Sequence, residues 1–198
     1  MVEISYKGAC VKLADEVYDP AEDSYLLADA AISYARTGMR VLEIGTGTGF
    51  VSSVLLANIN VELITTDINP HAAMCAKSNG IEVIRTDMFD GLKVESCFDM
   101  IIFNPPYLPT SDDEKVPGWL NYAFDGGSDG RAAVERFLDN VCEYLAFDGV
   151  ILLLISSLTG IDDVSSKMDA LGFDVEIVGR DKCSFEELVV LMGKRRHS

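Results

Sequence analysis

The chain has 198 residues, 48% of them hydrophobic, and carries 32 acidic against 16 basic side chains for a formal net charge of -16. That length suits one substantial core and is short for two domains, while the charge repels phosphate backbones and argues against tight nucleic-acid binding by this chain alone. No apolar run approaches a membrane span, Met1 to Cys10 lacks the layout of a signal peptide, and the five cysteines are widely spaced with no Cys-x-x-Cys pair; a cytoplasmic protein with no metal and no disulfide framework, its cysteines small buried hydrophobes, is expected.

Residues 1–17 show a few apolar positions without clear period. Asp19-Pro20-Ala21-Glu22 reads as an N-cap, a first-turn proline and a capping-box glutamate, and Leu26, Leu27, Ala30, Ala31 and Tyr34 recur at helical spacing until Gly38. Strand and helix then alternate. Met39–Ile44 is a strand entering Gly45-Thr46-Gly47-Thr48-Gly49, and Phe50–Asn58 is the helix that this loop opens. Val61–Thr66 is a strand ending on Asp67, Pro70–Ser78 a helix capped by Asn69, Ile81–Arg85 a short strand running to Asp87, and Phe98–Phe103 an apolar strand. The polar segment 108–130, with Asp112-Asp113-Glu114, Trp119 and Gly126-Gly127-Ser128-Asp129-Gly130, is long enough to serve as a lid or binding loop. Arg131–Ala146 follows as a helix, Val150–Ile155 as a buried strand and Ile161–Leu171 as a helix. Phe173–Val178 and Phe185–Met192 have no helix between them and so pair antiparallel. The pattern predicts a single-domain, Rossmann-like α/β fold over 1–198: a mostly parallel seven-stranded sheet, an antiparallel C-terminal strand and helices on both faces. Within it, 1–38 forms an N-terminal segment and helix, 39–107 a cofactor half, 108–130 a substrate loop and 131–198 a C-terminal half.

Two stretches carry chemistry. The glycine loop, with Asp67 eighteen residues beyond Gly49, has the layout of a nucleotide-binding βαβ unit in which glycines admit close ligand approach and the carboxylate accepts from ribose hydroxyls. Its spacing is Gly-x-Gly-x-Gly, one position short of the dinucleotide fingerprint. Glu43 before it is awkward beside a pyrophosphate and natural beside an ammonium or sulfonium, which points to S-adenosylmethionine. Asp87 is placed to accept from the adenine amine with Met88 against the ring, and Ile68 follows Asp67 into the same pocket. The second stretch is Asn104-Pro105-Pro106-Tyr107, where proline stops a strand and two fixed φ angles stiffen its carboxyl end. There the Asn104 oxygen and the Pro105 carbonyl can accept both hydrogens of a planar NH2 group, aiming its nitrogen outward, while Tyr107 stacks on the plane.

Together with Val41-Leu42-Glu43-Ile44, these motifs resemble the class I S-adenosylmethionine-dependent methyltransferases. More narrowly, Val17-Tyr18-Asp19-Pro20-Ala21-Glu22-Asp23-Ser24-Tyr25-Leu26-Leu27 and Phe124-Asp125-Gly126-Gly127-Ser128-Asp129-Gly130-Arg131 resemble the HemK-like glutamine methyltransferases, which modify the glutamine of the Gly-Gly-Gln tip of peptide-chain release factors. The chain departs from the bacterial type in lacking a separate N-terminal helical domain and so is similar to the short archaeal and eukaryotic branch. The resemblance implies that Tyr18, Pro20, Ala21 and Asp23 line the cofactor pocket, and that a small zinc-binding activator subunit is a partner, with the strand Ile81–Arg85 offered as its edge. Three alternatives share the motif chemistry: methylation of an adenine amine in DNA or RNA, methylation of another protein side chain, and a non-catalytic binding subunit.

Overall fold

The structure, a computed structural model, describes residues 2–95, 97–110 and 118–196, apart from the side chain of Asn121; the acidic run at 112–114 and His197 lie outside the described residues. The first seventeen residues hold an element that their lack of period hides: β1 (Glu3–Tyr6) and β2 (Ala9–Lys12) form an antiparallel hairpin. Both turn residues, Lys7 and Gly8, have positive φ (41° and 88°), the requirement of a tight two-residue hairpin, and glycine supplies only one of them without strain. The hairpin packs through Tyr6, whose ring stacks on Phe50 and meets Tyr25 edge-on.

The next helix, α1 (Glu22–Tyr34), begins three residues later than its apparent cap. Its N-cap is Ala21 in extended conformation with no side-chain hydrogen bond, so Asp19 and Pro20 stay outside the helix and Glu22 completes no capping box. The following elements are β3 (Arg40–Ile44), α2 (Phe50–Asn58), β4 (Glu62–Asp67), α3 (Pro70–Ser78), β5 (Val83–Arg85) and β6 (Phe98–Phe103). Asn69 does cap α3, accepting from the His71 backbone N–H at 2.8 Å. A 3-10 turn occupies Trp119–Ala123, and α4 (Ala132–Val141) ends earlier than its periodicity predicts. Leu145 continues the apolar stripe at helical spacing, yet it pairs with Phe98 as the first residue of β7 (Leu145–Ser156): ladder pairing overrides the helical pattern. A second 3-10 turn (Ser157–Thr159), α5 (Ile161–Ala170), β8 (Phe173–Lys182) and β9 (Glu187–Arg195) complete the chain.

The sheet runs β5-β4-β3-β6-β7-β9-β8, parallel from β5 through β7, with β9 antiparallel to both its neighbours. Two-residue alternation sorts the central side chains onto two cores. Leu42, Ile44, Ile101 and Phe103 pack with Phe137 and Leu138 of α4 and Met168 of α5; Val41, Met100 and Ile102 pack with Leu27 of α1 and Val54 of α2. The chain moves outward from β3 to β5 and then returns to place β6 on the other side of β3, and this reversal opens a crevice at the carboxyl ends of β3 and β6. No helix among the described residues is long and apolar enough to cross a membrane. Of the cysteines, only Cys75 is buried; Cys10 is exposed and the other three are intermediate, so the small-core reading holds for one position.

Candidate active site

At the crevice, Ile44 and Asp67 end adjacent parallel strands, and the glycine loop folds back between them: the Gly45 and Thr46 N–H groups donate to the Thr66 carbonyl at 2.8 and 3.1 Å. Gly47 adopts φ +57°, and a Cβ built there would meet no atom within 4 Å, so the loop leaves open space above its middle glycine. Its N–H donates to Asp67 Oδ2 at 2.8 Å, and Asn69 N–H donates to Oδ1 at 2.8 Å. Each carboxylate oxygen keeps accepting capacity, enough for the two hydroxyls of a ribose. Burial pushes the Asp67 carboxyl above its ordinary range against the pull of those two N–H groups.

Glu43 shares the β3 face of Val41 and points toward α2, where Ser52 Oγ donates to Oε2, joined by Thr46 Oγ1 at 3.0 Å. Burial pushes its carboxyl up to about 7, with the two hydroxyls pulling the other way. A group poised between neutral and charged near neutral pH, beneath a glycine cradle, is suited to meeting a cation.

Tyr18, Pro20, Ala21, Asp23, Glu43, Gly45, Gly47, Asp67, Ile68, Asp87, Met88, Asn104, Pro105, Pro106 and Tyr107 all line one cavity of about 910 Å³. Gly49 does not. At φ +79° it is the left-handed N-cap of α2, and a Cβ there would sit 2.9 Å from Ile81 Cγ1, so its smallness serves packing and not a ligand. Asp87 lines the cavity as its sequence position predicts and has a partner that the sequence did not announce: Oδ1 is held by Arg136 of α4 at 2.5 Å, and Arg136 itself lines the cavity. Met88 beside it takes φ +48°, a left-handed conformation that is strained for a non-glycine residue.

Asn104 holds the informative geometry. Its Nδ2 donates to Asp23 Oδ2 at 3.0 Å, while its Oδ1 is buried and has no hydrogen-bond partner among the described residues. A carboxylate can only accept, so the Asp23 contact fixes which way the carboxamide faces and leaves the oxygen as the orphan. Asp23 is itself fixed: Oδ1 accepts from Tyr18 OH at 3.1 Å, Ser24 N–H at 2.6 Å and Ser24 Oγ at 3.1 Å. An unsatisfied buried acceptor costs about 1–3 kcal/mol, a cost that an incoming N–H donor would remove.

The methyltransferase small domain model matches residues 22–117. A Methanocaldococcus jannaschii protein named as a protein N5-glutamine methyltransferase is 44% identical over 194 residues, covering 95% of this chain and 96% of that one. The chain belongs to the HemK-like protein N5-glutamine methyltransferase family. Human methyltransferase HEMK2 is 36% identical over 152 residues, 70% of this chain and 71% of its own. A solved Mtq2-Trm112 complex from E. cuniculi, described as methylating the eRF1 termination factor, superposes with a TM-score of 0.77 at 26% identity over 91% of this chain and 99% of that one.

In this methyltransferase the glycine cluster buttresses the Asn104 turn from behind. Gly126 N–H donates to Leu108 O at 3.0 Å and Thr110 N–H to Gly127 O at 2.9 Å. A Cβ on Gly126 would lie 2.9 Å from Pro106 O, and one on Gly130 only 2.4 Å from Tyr107 O. The next residue locks that segment in place, because Arg131 binds Asp129 at 2.9 Å and Asp163 of α5 at 2.8 Å. Opposite, residues 181 and 182 at the end of β8 and residues 183, 184 and 186 in the turn to β9 complete the cavity wall. Tyr107's phenol is pushed up first by burial and then by the carboxylates of Asp23 and Glu186, so that wall stands beside the tyrosine.

Proposed function

We propose that this chain transfers a methyl group from S-adenosylmethionine to the side-chain nitrogen of the glutamine in the Gly-Gly-Gln motif of a peptide-chain release factor. The observation that carries the reading is the orphaned Asn104 Oδ1 at the mouth of a glycine-and-carboxylate cradle. The cradle fits the donor nucleoside: Gly47 leaves room, Asp67 has lone pairs for ribose hydroxyls, and Glu43 offers a carboxylate to a cationic amine. S-Adenosylmethionine, when bound, supplies an electrophilic methyl carried on a sulfonium sulfur.

The chain's own work is positioning. Asn104 Oδ1 and the Pro105 carbonyl take the two amide hydrogens, which orients the weakly nucleophilic nitrogen and suppresses rotation about its C–N bond. Asp23 prevents the carboxamide from turning its NH2 toward the substrate, where it would repel rather than accept. Tyr107, half-buried beside them, covers the amide plane and reduces access of water. Such pre-orientation can supply roughly 7–11 kcal/mol of barrier lowering, which leaves no need for a side chain to act as base, since the alkylated nitrogen sheds its proton readily to water.

The Mtq2 structure is a complex with Trm112, which supports a small zinc-binding activator subunit as a partner of this chain, and we propose β5 as its docking edge. Among the described residues the strand pairs with β4 alone, Ile84 is exposed, and the neighbouring α3 exposes Met74. The translation setting of the named relatives supports a cytoplasmic location. Incubation with labelled cofactor and either release factor or DNA and RNA, with and without the activator, tests the reading. Label on the Gly-Gly-Gln glutamine is expected; label on adenine, or on nothing but another side chain of the factor, would overturn it.

A further inference from the structure

Phe185 is 94% exposed, the most exposed large apolar side chain among the described residues. It stands in the four-residue turn Cys183–Glu186, closed by the Cys183 N–H donating to the Glu186 carbonyl at 2.9 Å. The turn is built rigidly. Ser156 Oγ donates to the Glu186 carboxylate, and Glu187 N–H donates to Ser157 Oγ at 3.0 Å, so its C-terminal arm is tied twice, to the last residue of β7 and to the 3-10 turn that follows. The same 3-10 turn carries Leu158, itself half-exposed. Both residues flanking Phe185 line the reaction cavity, whereas Phe185 points its ring into solvent. An aromatic side chain displayed on a braced turn at the lip of a cavity is suited to binding, because its backbone is already held and only two χ angles remain to be ordered.

The charge around it selects the occupant. Glu22, Asp181 and Glu186 share this rim with a single cation among the described residues, Lys182, which leaves it net acidic, on a chain of net charge -16. A second copy of the chain, an anionic membrane and a nucleic acid are all repelled, and a basic protein surface is attracted. The cavity behind the rim accommodates a nucleoside and one amide side chain, so whatever meets Phe185 lies outside the reacting group, on the body of the macromolecule that presents it. We propose that Phe185 anchors the protein substrate, seating in an apolar recess of a basic surface next to the glutamine to be methylated.

This proposal rests on the function argued above and is tested with a kcat and KM split for intact release factor, with the activator subunit present. For Phe185→Ser, losing a central aromatic anchor should raise KM for the release factor about tenfold to thirtyfold while kcat and the affinity for S-adenosylmethionine stay within about twofold. Phe185→Leu should recover most of that loss. An unchanged KM in Phe185→Ser overturns the proposal, as does a fall in kcat alone, which would place the ring in the chemistry or the fold. Wild-type protein that leaves the release-factor glutamine unmethylated while labelling another substrate would instead sink the reaction assigned above, and this docking role with it.

Discussion

The two walls of the cavity are built on different principles. The cofactor wall is assembled locally: Glu43 is held by Thr46 and Ser52, and Asp67 by Asn69 and by Gly47 in the adjacent strand's loop, all within twenty residues of chain. The substrate wall is assembled from afar: Asn104 is oriented by Asp23 across 81 residues, its turn is backed by Gly126 and Gly130, and the opposite lip comes from the β8–β9 turn. The local wall should tolerate loss of one contact with a change in binding, whereas the long-range wall sets an angle and should lose chemistry instead.

The sharpest way to break this contrast is Asn104→Ala. Removing the acceptor that pre-orients the amide should lower kcat by about two to three orders of magnitude, similar to deleting one preorganised polar group elsewhere, with S-adenosylmethionine affinity kept within a few fold. Single-turnover methylation beside calorimetric cofactor titration checks it; a variant that loses the cofactor and retains chemistry per bound complex would exchange the roles of the two walls.

Asp23→Asn follows, with an expected fall in kcat of about tenfold to a hundredfold. Asparagine at position 23 is isosteric but can donate as well as accept, so the Asn104 carboxamide loses the contact that fixes its direction. The cost should appear in kcat for the amide substrate, with the melting temperature close to wild type. Equal kcat in the two proteins would show that packing alone orients the carboxamide.

The same contrast explains what could be read from the chain. β6 and α2 coincide with their sequence boundaries because each is a closed local signal: an apolar run stopped by Asn104-Pro105, and an apolar helix opened by a glycine loop. The glycine, Asp67 and Asn104 motifs were legible as a site for the same reason. What was not legible depends on partners distant in sequence. Nothing near Asp23 or Asn104 announces their bond, nothing near Arg136 announces Asp87, and Leu145 carries a helical period that only Phe98, across the ladder, converts to strand. The glycines at 126 and 130 read as loop residues, yet close approach to the Pro106 and Tyr107 carbonyls is what excludes a side chain there.

For the local wall, Asp67→Ala should weaken S-adenosylmethionine by about tenfold to a hundredfold, the loss of hydrogen bonds to a charged acceptor, while kcat at saturating cofactor remains near wild type. Isothermal titration and saturation kinetics measure the two terms separately. A large fall in saturated kcat would mean that Asp67 holds the Gly45-to-Gly49 loop in its reactive shape as well as binding the ligand.

The smallest effect concerns pH and sharpens the assignment of Glu43. With its carboxyl raised from 4.5 to about 7, the folded chain holds a proton that the unfolded chain has released across that window, so this group's contribution to apo stability declines as pH rises from 4.5 through 7. A cationic amine meeting Glu43 reverses the preference. Binding then requires the carboxylate, so cofactor affinity should weaken as pH falls below about 7, approaching tenfold per unit, and stay level just above it. The rise in melting temperature on adding S-adenosylmethionine should accordingly grow between pH 5.5 and pH 8, on the order of a few degrees for a domain of this size. Glu43→Gln removes the titration while keeping an oxygen for Ser52 and Thr46, so its affinity should be lower and flatter with pH. Asp67, also raised by burial, titrates in both proteins and is the internal control: if the wild-type slope survives in the glutamine variant, the proton belongs to Asp67 and the cation does not sit against Glu43.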